Sequence, residues 1–131
     1  LLSGNINLIF ATAASAVPHM QTNRIRALAV TTIKRSALVP NLPTISESGV
    51  KGFDANNWYG VLVPAKTPRP IINRLNKEVV AVLNLPDIKD ILFKSGLDAA
   101  PSTPEEFGAY IKSEKDKWEK VIKAAGLYQT N

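Results

Sequence analysis

Apolar residues follow two rhythms along this chain. In the first half they gather in short runs. Asn5–Phe10 carries Ile6, Leu8 and Phe10 at period two with Ile9 between them. Ile25–Thr32 is apolar at its centre, Ala27 to Val30, and Trp58–Val63 is apolar nearly throughout. Runs of this length, bounded by turn residues, predict buried strands of a parallel sheet. From Ile72 onward the rhythm becomes helical. Ile72, Leu75, Val79 and Val82 make one stripe, and Ile88, Ile91 and Leu92 make a shorter one that ends at Gly96. A third face, through Phe107, Tyr110, Ile111, Trp118, Val121 and Ala125, predicts a long last helix closed by Gly126.

Polar residues punctuate these elements. Ser15 is the expected N-cap of a short helix entered by Ala16 and Val17. Pro18 then falls in the first turn, where its missing N–H removes no helical bond. Asn23 is a suitable left-handed stop. Strand, helix and strand at this spacing form a βαβ crossover. Thr44 with Glu47, and Thr103 with Glu106, have the spacing of capping boxes. Thr67 is the expected cap of the first long helix with Pro68 at its first position, and Asn84-Leu85-Pro86 breaks that helix. Leu1-Leu2-Ser3-Gly4 reads as the last turn of a helix, so the chain is expected to enter in mid-architecture, with an amino-terminal part missing. Tyr128 to Asn131 reads as a trailing carboxy terminus.

Composition adds limits. The chain has 131 residues, 45% hydrophobic and 21% charged, as a soluble domain would. It has no cysteine, which excludes thiol catalysis and thiolate metal sites. The net charge of +5 permits an anionic partner. Basic residues are scattered, however, and near the carboxy end they alternate with acids. Asp116–Lys120 and Glu119–Lys123 are i,i+4 pairs of a solvated helix face, and no aromatic-basic platform for nucleic acid accompanies them. No metal site and no cofactor are expected. His19 is the sole histidine and stands without a cluster of other ligands.

Two constellations invite chemistry. Ser15 and His19 are four apart on one short helix, a nucleophile–base spacing. No Gly-x-Ser-x-Gly turn surrounds Ser15 and no acid is placed to orient His19, so a small hydrolase using Ser15 and His19 is a minor alternative, with a nucleic-acid role weaker still. Thr12, Ala13, Ala14 and Ser15 make the better case. They follow the end of one expected strand and precede a helix, where backbone N–H groups face a cleft in α/β folds. Small side chains there let an anion reach the backbone. An ordinary βα turn accounts for the same residues equally well.

The consecutive segments GNINLIF, AASAVPHMQTNRIRALAVTTIKRS, VPNLPTISESGVKGF, NNWYGVLVPAKTP and PSTPEEFGAYIKSEKDKW resemble the carboxy-terminal part of the Bug/TctC family. These are periplasmic solute-binding proteins of tripartite tricarboxylate transporters. Each segment is weak alone; their order and spacing are specific, and they run from Gly4 to Leu127. Ala37 departs from the proline the family often carries after Lys-Arg-Ser.

The resemblance implies an α/β chain forming part of a two-lobe, Venus-flytrap fold, without the family's amino-terminal carboxylate clamp. It implies that residues 1–53 belong to lobe two, that Asp54, Ala55, Asn56 and Asn57 form a hinge crossing between lobes, and that residues 58–131 return to lobe one. The implied ligand is a small carboxylated solute, a di- or tricarboxylate, amino acid or aromatic acid. The implied partners are the membrane permease subunits, in the periplasm. A self-associating module without ligand is the alternative, because the expected strands lack neighbours. Either the missing amino-terminal segment or a second copy could close them.

Overall fold

The computed structural model describes residues 1–127, so the trailing end expected at Tyr128–Asn131 lies outside the described residues. It contains four helices among the described residues: α1 (Ala13–Gln21), α2 (Arg69–Leu83), α3 (Pro86–Lys94) and α4 (Pro104–Ala124). The chain divides into two units. One comprises Leu1–Leu62 with Pro86–Ala99, and the other Val63–Leu85 with the chain from Ala100 on.

In the first unit, residues 30–55 form the best-tied region. Thr44 is its centre and is fully buried. The Thr44 N–H donates to Glu47 Oε2 and the Glu47 N–H donates to Thr44 Oγ1, both at 2.9 Å. The expected capping box is therefore present, although it closes a turn here and not a helix. The Glu47 carboxylate also takes the Arg35 Nε–H at 2.9 Å. Val30 pairs with Thr44 in a parallel bridge, with the Ile45 N–H donating to the Val30 carbonyl at 3.0 Å. The far end is held by the Ala55 N–H on the Thr31 carbonyl at 2.9 Å and the Ile33 N–H on Asp54 Oδ1 at 3.1 Å.

That bridge is the one β pairing among the described residues. The strands expected at Asn5–Phe10, Ile25–Thr32 and Trp58–Val63 are therefore corrected: these segments carry no ladder, and the βαβ crossover is not closed. The cause is physical. A helix satisfies its own backbone, whereas a strand exists only through its neighbours. The apolar runs are present without the strands they need beside them. Trp58 and Tyr59, expected in a core, are 36% and 74% exposed.

The caps need two further corrections. α1 starts three residues before the expected position, at N-cap Thr12, so Pro18 stands inside the helix and not in its first turn. It gives no N–H to the Ala14 carbonyl, which costs the short helix one internal bond. α2 is capped by Pro68 without a side-chain bond, and Pro70 is the proline near its start. Asn23 takes φ 54, as a left-handed stop should, and Gly4, Gly96 and Gly126 also have positive φ.

In the second unit α2 packs on α4. The stripe on α2 is rotated from the expected one. Ile72, Asn76, Val79 and Leu83 are half-buried, while Leu75 and Val82 are 44% and 48% exposed. Asn76 takes a place on this face because its Nδ2 donates to the Ser102 carbonyl at 2.9 Å. Arg69 pairs with Glu105 across the same two segments. On α4 the capping box is complete: the Glu106 N–H donates to Thr103 Oγ1 at 3.2 Å, and the Thr103 N–H to Glu106 Oε2 at 2.8 Å. Glu114 interrupts the apolar stripe. It is 8% exposed, accepts the Trp118 indole N–H at 3.1 Å and pairs with Lys117. Of the two expected i,i+4 pairs, Glu119–Lys123 forms at 2.7 Å. Asp116–Lys120 does not, among the described residues.

No hydrophobic side chain among the described residues is buried. The chain exposes 10385 Å². Two free-standing globular monomers with the masses of the two units would together expose about 8,100 Å². Each unit is thus a set of helices and tied loops with much of its apolar surface uncovered.

Candidate functional site at the start of helix α1

The structure brings Thr12, Ala13, Ala14 and Ser15 together as the cap and first turn of α1. Thr12 is extended (φ −69, ψ 149), and its carbonyl accepts the N–H of Ser15 and of Ala16, both at 3.1 Å. Ser15 Oγ donates to the same carbonyl at 2.9 Å and stands 3.1 Å from Thr12 Oγ1. With the Ser15 proton so engaged, Thr12 is the donor between the two hydroxyls. The N–H groups of Ala13 and Ala14 have no acceptor among the described residues. No acidic side chain occupies the first turn. Two free N–H groups at the positive end of a helix, flanked by methyl groups, can receive a carboxylate.

Gly96, two residues past the end of α3, stands against this turn. A Cβ built on Gly96 would collide with Ala14 N and would lie 2.8 Å from Ala14 Cα and 3.0 Å from the Ala13 carbonyl carbon. Gly96 also has φ +77. The expected helix end was legible in the sequence. The close approach was not, because it joins residues about 80 positions apart.

Ser15 and His19 are not joined. The Ser15 hydroxyl is taken up by Thr12, and the His19 side chain makes no hydrogen bond to it. The arrangement gives no nucleophile–base pair and no support to the hydrolase alternative.

The residues expected to form the hinge are unequally held. Asp54 and Ala55 are tied to Ile33 and Thr31, and Asn56 and Asn57 make no hydrogen bond among the described residues. An open hollow of about 390 Å³ on α3, lined by Lys89, Asp90, Phe93, Leu97, Asp98 and Ala99, does not include the α1 turn.

Residues 1–127 match the profile of the tripartite tricarboxylate transporter family receptor, TctC. The chain belongs to the TctC family. A curated relative, the UPF0065 protein in the tcbD–tcbE intergenic region of Pseudomonas sp. strain P51, is 34% identical over 123 residues, covering 93% of this chain and 37% of the relative. Protein BugT of Bordetella pertussis is 27% identical, with 96% of this chain and 39% of BugT covered. Among solved structures, the R. palustris protein Rpa4515 with adipate is 34% identical at a TM-score of 0.83, covering 96% of this chain and 42% of that one. MatC of Rhodopseudomonas palustris with bound malate is 29% identical at a TM-score of 0.69, covering 84% and 38%. The periplasmic binding protein BugD is 31% identical at a TM-score of 0.75. This TctC chain thus spans less than half the length of these relatives and carries part of the α/β periplasmic-binding-protein fold.

Proposed function

We propose that this TctC chain serves in the capture of a small carboxylated solute outside the cytoplasm for a tripartite tricarboxylate transporter. The observation that carries the reading is the likeness, along nearly the whole chain, to a receptor solved with adipate. The malate-bound relative supports the same solute class. In this reading Thr12, Ala13, Ala14 and Ser15 present the Ala13 and Ala14 N–H groups to one carboxylate. Asp54 to Asn57 is the hinge, anchored through Asp54 and Ala55 and turning at Asn56–Asn57. The chain binds and performs no chemistry, its family consisting of periplasmic binding proteins, and the permease subunits receive the solute.

A helix amino end contributes about 0.3–2 kcal/mol to holding an anion. Micromolar affinity needs about 8 kcal/mol, so the turn orients one carboxylate and the rest of the cleft supplies most of the affinity. The test is a receptor in which residues 1–127 replace the matched part of Rpa4515. Calorimetric titration with adipate and malate should show binding, weakened at least about fivefold by Thr12→Asp through like-charge repulsion. Binding unchanged by that substitution removes the α1 turn from the site. No binding of any carboxylate in a folded chimera removes the function.

A further inference from the structure

Helix α3 belongs to one unit and is continuous with the other at both ends. Pro86–Ala99 falls in the first unit, whereas α2 before it and α4 after it fall in the second. Its hold on the first unit is the approach of Gly96 to the Ala13–Ala14 peptide. A Cβ at position 96 would stand 2.8 Å from Ala14 Cα and 3.0 Å from the Ala13 carbonyl carbon, so backbone meets backbone with no side chain between. Gly96 is in turn fixed to α3. Its N–H donates to the Phe93 carbonyl and the Leu97 N–H donates to the Leu92 carbonyl, both at 2.9 Å. These are the two bonds of a Schellman end, closed through a left-handed glycine. Helix, glycine and α1 turn are thus tied in series.

The two junctions with the second unit lack such ties. At the first, the Leu85 N–H donates back to the Val82 carbonyl at 3.1 Å, and Pro86 then opens α3. Pro86 has no N–H to carry helical bonding across the junction, and it disfavours a helical Leu85. α2 therefore cannot run on into α3, and turning there falls to the Asn84 and Leu85 dihedrals. At the second, residues 98–101 make no backbone hydrogen bond among the described residues. Beyond them the chain is held again: Asn76 donates to the Ser102 carbonyl, and Thr103 caps α4.

We propose that α3, through Leu97, is an arm of the first unit that moves with α1, and that α2 and α4 reorient about it. Leu85–Pro86 is the pivot, because no spacer separates the bonded end of α2 from α3. Residues 98–101 are the slack tether, since four residues reach up to about 14 Å when extended. Element-terminal residues that absorb backbone rotation are the usual material of hinges. The arm adds two turning points to the Asp54–Asn57 segment and assigns α3 to the body that carries the α1 turn. It needs no solute, so it stands or falls apart from carboxylate capture.

The experiment is pulsed electron resonance on this chain, which has no cysteine of its own. Spin labels go on exposed positions as the pairs Gln21→Cys with Ser95→Cys and Lys77→Cys with Ser95→Cys. The α2–α3 distance distribution, Lys77 to Ser95, should be at least about twice as wide as the α1–α3 distribution, Gln21 to Ser95. Gly96→Ala should broaden the α1–α3 distribution, whereas Gly52→Ala should not. Deleting Ala99 and Ala100 should narrow the α2–α3 distribution by shortening the tether. An α2–α3 distribution as narrow as the α1–α3 one overturns the proposal, because α3 then moves with α2. A broad α1–α3 distribution in the unaltered chain, or one that Gly96→Ala leaves unchanged, overturns it as well.

Discussion

Gly96→Ala tests whether the end of α3 and the start of α1 are locked together by backbone contact. Two costs are expected. An L-residue at φ +77 sits in the left-handed region, at about 1–2 kcal/mol. The added Cβ also falls 2.8 Å from Ala14 Cα. Carbon atoms prefer roughly 3.5 Å or more, so the turn must retreat by about 0.7 Å. Overpacking of that kind costs about 1–3 kcal/mol. Gly52→Ala is the matched control. Gly52 lies in the same unit with φ +76 and nothing within 4 Å of a built Cβ, so it bears the conformational cost alone. The difference between the two variants isolates the contact. It should speed amide exchange in α1 by about 5- to 150-fold in Gly96→Ala beyond any change in Gly52→Ala, at tenfold per 1.4 kcal/mol. Equal exchange in the two variants would refute the contact. Absence of any effect in either would refute the backbone argument as well.

Two other outcomes follow from the polar ties. The Thr44 N–H, then the Arg35 guanidinium, hold the Glu47 carboxyl below the usual glutamate range. Its contribution is therefore complete above the unfolded glutamate pKa and is lost as pH falls through the lowered folded value. Protection of the Thr44 amide should decline as pH falls below the ordinary glutamate range, and Glu47→Gln should flatten that decline while lowering protection at neutral pH; an unchanged profile in Glu47→Gln would assign the acid loss elsewhere. Thr103→Ala should weaken α4 by about 0.5–2 kcal/mol, read as loss of helical circular dichroism at lower urea, and equal midpoints would show that the cap is dispensable.

Local chemistry was the legible part. The Thr103–Glu106 box, the Thr44–Glu47 box and the left-handed Asn23 each depend on residues a few positions apart, so spacing alone reveals them. The cap of α1 was misplaced because Ser15 and Thr12 are equally good capping residues; placing Pro18 in the first turn favoured Ser15, and the helix tolerates the proline inside it. Asn76 and Glu114 entered apolar stripes because each found a partner there, Ser102 in one case and Trp118 with Lys117 in the other. The strands show the opposite limit. Leu8-Ile9-Phe10 carries the signature of a buried strand, but nothing in those residues supplies the ladder. The α1 turn could be located from composition and order, whereas its neighbour Gly96 could not, since a contact across about 80 residues leaves no local trace.

The tied region around Thr44 also bears on the order of assembly. Its bonds join residues between 30 and 55, so closing them requires only short loops. Loop entropy grows slowly with length, and contacts of low sequence separation form early. Arg35, Thr44 and Glu47 draw on side chains within this span and need no sheet beside them. The span can therefore serve as a nucleus that sets the direction of one parallel pairing before any neighbour arrives. A destabilising change at Thr44 would then slow folding, while the same change at an untied position such as Phe10 would speed only unfolding.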